Sequence, residues 1–278
     1  MNGLLFRSVD LTEALNKIPA MSTVPLWFDA KGRQLRVEEA IYHRDHLELV
    51  MNHNITGLKM PHPIIFKAGE DWAMVDEISD RGRRLHLRGD EHPIFRVKPG
   101  DSVHFRNPAM DISDPLFTSD EKMKIERVVS LGYKNFYLSY VESQRDVDEF
   151  RELVGPDASV ILKIESLKGL DYVRDHYRSQ PNTRLACARG DLYVEVEKPH
   201  EIVKAQKLIV ERCANAVVGS RLLLSLFTKS VPACSDICEL ALLKQQGYSS
   251  YLLCDDLCKS GPALHRAVAA FKAVMKDI

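Results

Sequence analysis

Ser159-Val160-Ile161-Leu162-Lys163-Ile164-Glu165 and Arg184-Leu185-Ala186-Cys187-Ala188-Arg189-Gly190-Asp191-Leu192 are two apolar runs that end in charge. An apolar run of this kind, bounded by polar residues, reads as a strand buried on both faces. Such strands belong to parallel sheets covered by helices, where functional residues gather at the C-terminal strand ends. Side chains alternate along a strand, so Lys163 and Glu165 share a face. The two segments bring a lysine, two carboxylates and an arginine to one end of one sheet.

Working outward, the same grammar repeats. Strands are expected at 135–141, 159–164, 184–188, 216–219 and 250–253, separated by helical periodicity at 146–153, 170–177, 200–213 and 235–246. A last helix is expected at 263–275. Upstream, 4–9 and 24–28 read as two more such strands, linked by a short helix at 11–18. Residues 36–105 instead show short interrupted strands, with turn signals at 67–71, 81–83 and 99–101. The parallel pattern resumes with a helix at 119–130, for which Ser119 or Asp120 is the expected N-cap, with Glu121 or Lys122 in the first turn. The expected architecture is α/β: a (β/α)8-type TIM barrel in which seven strands are counted, so that its first strand is unaccounted for. Residues 1–35 and 107–278 form the barrel and 36–106 a small β-rich inserted lid domain. A glycine-rich first turn of the dinucleotide-binding kind is absent.

Composition narrows the classes. The 278 residues carry 38 Lys and Arg against 39 Asp and Glu, a formal charge of -1, so no global charge draws the chain to nucleic acid or an anionic membrane. No apolar stretch is long enough to span a bilayer, and the N-terminus lacks a secretory pattern. Six cysteines (Cys187, Cys213, Cys234, Cys238, Cys254 and Cys258) lack a partnering histidine cluster and read as buried or half-buried free thiols. The expectation is a cytoplasmic protein.

The strand-end residues are Asp29, Lys31, Ser139, Lys163, Glu165, Arg189, Asp191 and Ser220. Glu165 and Asp191 suit a hard divalent cation, Mg²⁺ or Mn²⁺, which prefers oxygen ligands. Gly190 permits the sharp turn that aims Asp191 inward. Solvated salt bridges are the ordinary alternative for each charge, and Arg189 serves equally to clamp an anion or to tie down Glu165 or Glu195. Ser220 reads as an N-cap of the following helix, whose N-terminus would also seat an anion. Asp29 and Lys31 read either as a solvated turn or as substrate and nucleotide contacts.

These segments resemble the pyruvate kinase family over roughly residues 4–278. Ile161-Leu162-Lys163-Ile164-Glu165 resembles its (I/L)-x-K-I-E strand, and Ala188-Arg189-Gly190-Asp191-Leu192 its ARGDLG signature, with Tyr193 at the last position. Asp29, Lys31, Gly32 and Arg36 match its D-T-K-G-P-E-I-R, Ser139-Tyr140-Val141 its S-F-V/I, and Gln206-Lys207 its Q-K. The resemblance implies Mg²⁺ on Glu165 and Asp191, bridging to phosphoenolpyruvate or pyruvate, and Lys163 stabilising the enolate and the transferring phosphoryl group. It also implies Arg36 reaching phosphate, Ser220 near the enolate carbon that exchanges a proton, and Arg189, Gly190 and Asp191 in substrate binding. Asp29, Lys31 and Arg36 then face a nucleoside diphosphate or triphosphate.

The departures lie on one side. The family's first strand is expected to have no counterpart. R-L-N-F-S-H-G has become Gly3-Leu4-Leu5-Phe6-Arg7-Ser8, leaving K⁺ doubtful and the nucleotide-binding histidine absent. P-T-R-A-E has become Pro232-Ala233-Cys234-Ser235-Asp236. The family's C-terminal regulatory domain is expected to be missing. The first expectation for function is a metal-dependent phosphotransferase on an enol phosphate. The alternatives are a lyase, aldolase or decarboxylase using the same enolate centre on a 2-oxo acid, and a degenerate, non-catalytic ligand-binding protein. A barrel short of one strand leaves an edge that a homo-oligomer would cover.

Overall fold

The structure is a computed structural model that describes residues 13, 15, 17, 23–67, 69, 71–89 and 93–277. The expected strand at 4–9, Arg7 with it, and most of the expected helix at 11–18 lie outside the described residues.

From residue 28 onward the strands β1 (Phe28–Ala30), β2 (Val37–Tyr42), β3 (Leu47–Met51), β4 (Ile55–Thr56), β5 (His62–Phe66), β6 (Asp71–Ser79), β7 (Arg84–Leu87), β8 (Val103–His104) and β9 (Asp111–Ile112) precede the helix at Ser119–Ser130. Helices and strands then alternate: α1 (Ser119–Ser130), β10 (Asn135–Leu138), α2 (Gln144–Val154), β11 (Ser159–Ile164), α3 (Leu167–Asp171) and β12 (Thr183–Ala188). They continue through α4 (Arg189–Glu195), α5 (Ile202–Arg212), β13 (Val217–Gly219), α6 (Cys234–Gln245), β14 (Ser250–Leu252), α7 (Asp255–Lys259) and α8 (Gly261–Asp277).

β1-β10-β11-β12-β13-β14 make a six-stranded sheet, parallel throughout. It is a curled half-barrel of the (β/α)8 kind. The segment between β1 and α1 builds a second, antiparallel sheet in the order β2-β3-β7-β6-β5-β8. A bridge between Arg36 and Ser102 brings β8 back beside the start of β2.

Period-two alternation divides each parallel strand between two environments. Phe136, Leu138, Val160, Leu162, Ile164 and Leu185 pack outward into the main core beneath the helices. Ile161, Ala186 and Val217 point the other way and form a small apolar floor with Trp27 and Tyr137. The register pairs Asp29 with Tyr137, Tyr137 with Ile161, and Lys163 with Ala186, so the inner residues of neighbouring strands lie level. Charge at the strand ends sits directly above that floor. The inserted sheet has its own core around Leu49, Ile64, Phe66, Ala73, Val75 and Phe105.

The expected strand at 24–28 is displaced: β1 begins at Phe28, and Val24 is exposed. Pairing with β10 sets that boundary, with Phe28 opposite Phe136, while the Leu26 carbonyl accepts from the Asn135 side chain. The N-cap of α1 is Thr118, one residue ahead of the expectation. Its hydroxyl accepts from Glu121 N and the Glu121 carboxylate accepts from Thr118 N, a reciprocal box. The expected helix at 170–177 is α3 followed by a π-turn over Tyr172–His176. Cys187 and Cys213 are buried, but Cys234, Cys238 and Cys258 are exposed, because their helices turn them outward.

Candidate active site

Lys163 is the centre of the mouth. Its ammonium donates to Ser139 Oγ at 2.9 Å and lies 3.2 Å from Glu165 Oε1 and 3.7 Å from Asp29 Oδ1. Burial pulls its pKa down, but the charges of Asp29, Glu165 and Asp191 outweigh burial and hold it above the ordinary lysine value. Asp29 meets Lys31 Nζ at 2.5 Å and accepts from Ser139 Oγ at 3.2 Å. Burial raises the Asp29 pKa, yet Lys163 and Lys31 bring it down to about 2. Burial dominates at Lys31 itself and lowers its pKa.

Glu165 is 1% exposed, and its Oε2 accepts from Tyr140 N at 2.8 Å. Tyr140 holds a left-handed backbone (φ 53°), a conformation that costs a non-glycine residue about 1–3 kcal/mol. That turn aims its amide at Glu165. Burial, reinforced by the Asp191 charge against the pull of Lys163, pushes the Glu165 pKa up to about 7. Asp191 moves the opposite way: burial raises its pKa, but His104 and Lys163 take it well below the usual carboxylate range. Each of the two carboxyls shifts the pKa of the other. A carboxylate pair, Glu165 buried and Asp191 partly exposed, that retains a proton near neutrality is a donor set suited to a hard divalent cation in the proton's place.

Two contacts to Asp191, from His104 and Gln34, were not legible in the sequence. His104, from β8 of the inserted sheet, is 1% exposed and places Nε2 3.4 Å from Asp191 Oδ1, without hydrogen-bond alignment. Its Nδ1 meets Glu195 Oε1 at 3.1 Å and Tyr140 Oη at 2.9 Å. Burial lowers the His104 pKa, but Asp191 and Glu195 overcome it and bring it up to about 9, so the imidazole is charged at neutral pH. Gln34 donates from Nε2 to Asp191 Oδ2 at 3.3 Å and accepts from Arg36 at 2.6 and 3.1 Å. Arg36 therefore reaches Asp191 through an amide, and it also donates to the Gly100 carbonyl. The one sequence signal for His104 is a polar residue inside the apolar Val103-His104-Phe105 run.

Arg189 is drawn away from the mouth. It donates to Glu239 Oε1 at 2.5 Å, Ser220 O at 2.6 Å and Gly219 O at 3.3 Å, tying β13 to α6, and it pairs with neither Glu165 nor Glu195. Ser220 does not cap a following helix: α6 starts at Cys234, after left-handed Arg221 and Leu223. Its hydroxyl instead accepts from Gly190 N at 2.9 Å, in the first turn of α4, whose own N-cap is Ala188. A Cβ at Gly190 would stand 2.7 Å from Ser220 Oγ, so this approach needs glycine. Asp29, Lys31 and Arg36 line a cleft of about 550 Å³ between β1, the inserted sheet and α1, with Asn52, Gly100 and Lys124 opposite.

A parallel half-barrel with a lysine–carboxylate cluster at its mouth and an antiparallel sheet inserted after β1 defines the class: a (β/α)-barrel protein with a small β-rich insert. The chain belongs to the pyruvate kinase family, whose barrel-domain profile matches residues 100–248. It is 28% identical over 253 residues to a pyruvate kinase of Agrobacterium vitis, covering 81% of this chain and 51% of that protein. Similarity to a Methanocaldococcus jannaschii pyruvate kinase is 22% over 267 residues, covering 90% and 57%. A further Agrobacterium vitis pyruvate kinase match is 32% identical over 209 residues, covering 70% and 42%. The chain spans about half the length of these curated relatives. Among the described residues no helix is long and apolar enough to cross a membrane.

Proposed function

We propose that the protein is a divalent-metal-dependent phosphotransferase acting on phosphoenolpyruvate, pyruvate or a related 2-oxo acid through an enolate. The observation that carries this reading is the buried Lys163 ammonium set among Asp29, Glu165 and Asp191 beside a carboxylate pair that retains a proton. Family membership and relatives described as pyruvate kinases support it.

Glu165 and Asp191 would hold Mg²⁺ or Mn²⁺, which supplies positive charge to the substrate carboxylate and developing enolate. Lys163 stays charged and presents a fixed ammonium to the enolate oxygen or the phosphoryl group, a preorganised stabilisation in a water-poor site. Ser139 and Asp29 orient that ammonium. Ser220 keeps its hydroxyl proton free to donate toward substrate while accepting from Gly190, and Arg189 positions Ser220 through its carbonyl. The cleft lined by Asp29, Lys31 and Arg36 offers room and cations for a nucleoside diphosphate. The edge of β14, unpaired among the described residues, supports a homo-oligomer, and the six free cysteines support a reducing, cytoplasmic setting.

The test follows the shared centre. With Mg²⁺, pyruvate and D2O, the pyruvate methyl group should exchange its protons, read by NMR, and K163M should abolish exchange while leaving the circular-dichroism spectrum intact. Absence of exchange in the wild type, or full exchange in K163M, refutes the assignment. Pyruvate release from phosphoenolpyruvate only with a nucleoside diphosphate selects phosphotransfer; nucleotide-independent turnover of longer 2-oxo acids assigns the centre to carbon–carbon chemistry instead.

A further inference from the structure

At the far end of the β2–β3 hairpin, His43-Arg44-Asp45-His46-Leu47-Glu48 carries ligand-type side chains that the proposed reaction does not use. β2 leads away from Arg36, and six residues at about 3.3 Å each put the hairpin tip roughly 20 Å from it. His43 N donates to His46 O at 3.0 Å, closing a four-residue turn. The turn sets the two imidazoles face to face, with ring centroids 4.2 Å apart and planes within 10°. Both rings address one atom: His43 Nε2 and His46 Nε2 each lie 3.2 Å from Glu48 Oε1. His86, across the β3–β7 pairing, brings Nδ1 to 3.7 Å from the same oxygen.

A tetrahedral cation with ligands at about 2.0–2.1 Å separates them by about 3.3 Å. Two of the three edges among His43, His46 and Glu48 are already at that length, and the three ligand atoms lie within 4.8 Å of one another. The remaining edge closes by a small rotation of partly exposed rings. Supporting groups are arranged as they are behind metal ligands. Asp45 Oδ1 lies 2.9 Å from His46 Nδ1, so a proton kept there would leave Nε2 to a cation shared with Glu48. Arg84 donates to Glu48 Oε2 at 2.7 Å and leaves Oε1 unoccupied by it. Gly89 backs the turn so closely that a Cβ there would stand 1.8 Å from the Asp45 carbonyl.

We propose that His43, His46 and Glu48 form a site for a borderline transition-metal dication such as Zn²⁺, with water completing its shell. Imidazole donors select such ions over Mg²⁺, so this site is chemically distinct from the all-oxygen pair at the mouth. A bound ion would clamp the hairpin turn to β3 and stiffen the tip of the inserted sheet.

Zn²⁺ titrated calorimetrically into the full chain, with excess Mg²⁺ present, tests this. One equivalent should bind to the wild type and shift the imidazole nitrogen resonances of His43 and His46. Affinity should fall by more than about 100-fold in H43A/H46A and by about 10–100-fold in D45N, while C234S/C238S and D191N bind as the wild type does. H43Q/H46Q gives the same comparison should the alanine pair perturb the turn. No Zn²⁺ binding, equal affinity in the wild type and both histidine double variants, or loss of the equivalent in C234S/C238S or D191N overturns the proposal.

Discussion

Replacing Glu165 with glutamine should change how stability depends on pH, by an amount the geometry sets. Glu165 is buried, faces Asp191, and has its pKa moved from 4.5 to about 7. Between those values the folded protein retains a proton that the unfolded chain has released. Stability from this group is therefore fully present below pH 4.5 and is lost as pH rises through 7. At about 1.36 kcal/mol per pH unit, the loss is about 3 kcal/mol. Glutamine at 165 cannot titrate. Its contacts to Tyr140 and Lys163 alter the absolute stability by an amount that is the same at both ends of the window. The stability of E165Q relative to the wild type should thus climb by about 3 kcal/mol from pH 4.5 to pH 8. Urea unfolding with a chelator present, at a series of pH values, measures it. Parallel curves for the two proteins would falsify the picture of a strained, proton-sharing carboxyl pair. Excess Mg²⁺ should flatten the wild-type decline, because the cation takes the proton's place, and should leave E165Q little changed.

Two further predictions concern the frame. Asp146 is 1% exposed, accepts from Glu142 N and Ser143 N at 2.9 and 3.0 Å, and pairs with Arg33 at 3.1 Å. D146A should cost about 3–5 kcal/mol in urea unfolding, because it strands a largely buried guanidinium and uncaps α2, whereas loss below about 1 kcal/mol would contradict this role. G190A should cost about 1–3 kcal/mol by driving a methyl into Ser220 Oγ. The same change in an S220G background should cost clearly less, and an additive double-mutant cycle would show that the two residues do not meet.

The parallel strands were legible because they are buried on both faces: β11 and α1 fall on the expected 159–164 and 119–130. The inward pairing of Lys163 and Glu165 was legible too, since it follows from alternation alone. The start of β1 was not, because hydrogen bonding to β10, more than a hundred residues away, ends the strand rather than the apolar run Val24-Pro25-Leu26-Trp27-Phe28. Ser220 misled for a similar reason. A serine after a strand reads locally as an N-cap, but its partner is an amide on α4, 30 positions earlier.

The sequence by itself determined the parallel strands from 135 onward, the shared face of Lys163 and Glu165 and the gathering of Asp29, Lys163, Glu165 and Asp191 at the strand ends, because strand and helix periods are local properties of the chain. Which charge meets which was decided only by the tertiary structure. Gln34 reaches Asp191 across 157 positions, His104 meets Glu195 across 91, and Arg189 turns to Glu239 across 50. Buried charges must find partners, and several are within reach in composition. The folded geometry alone selects the one that lies close enough to offset the loss of water.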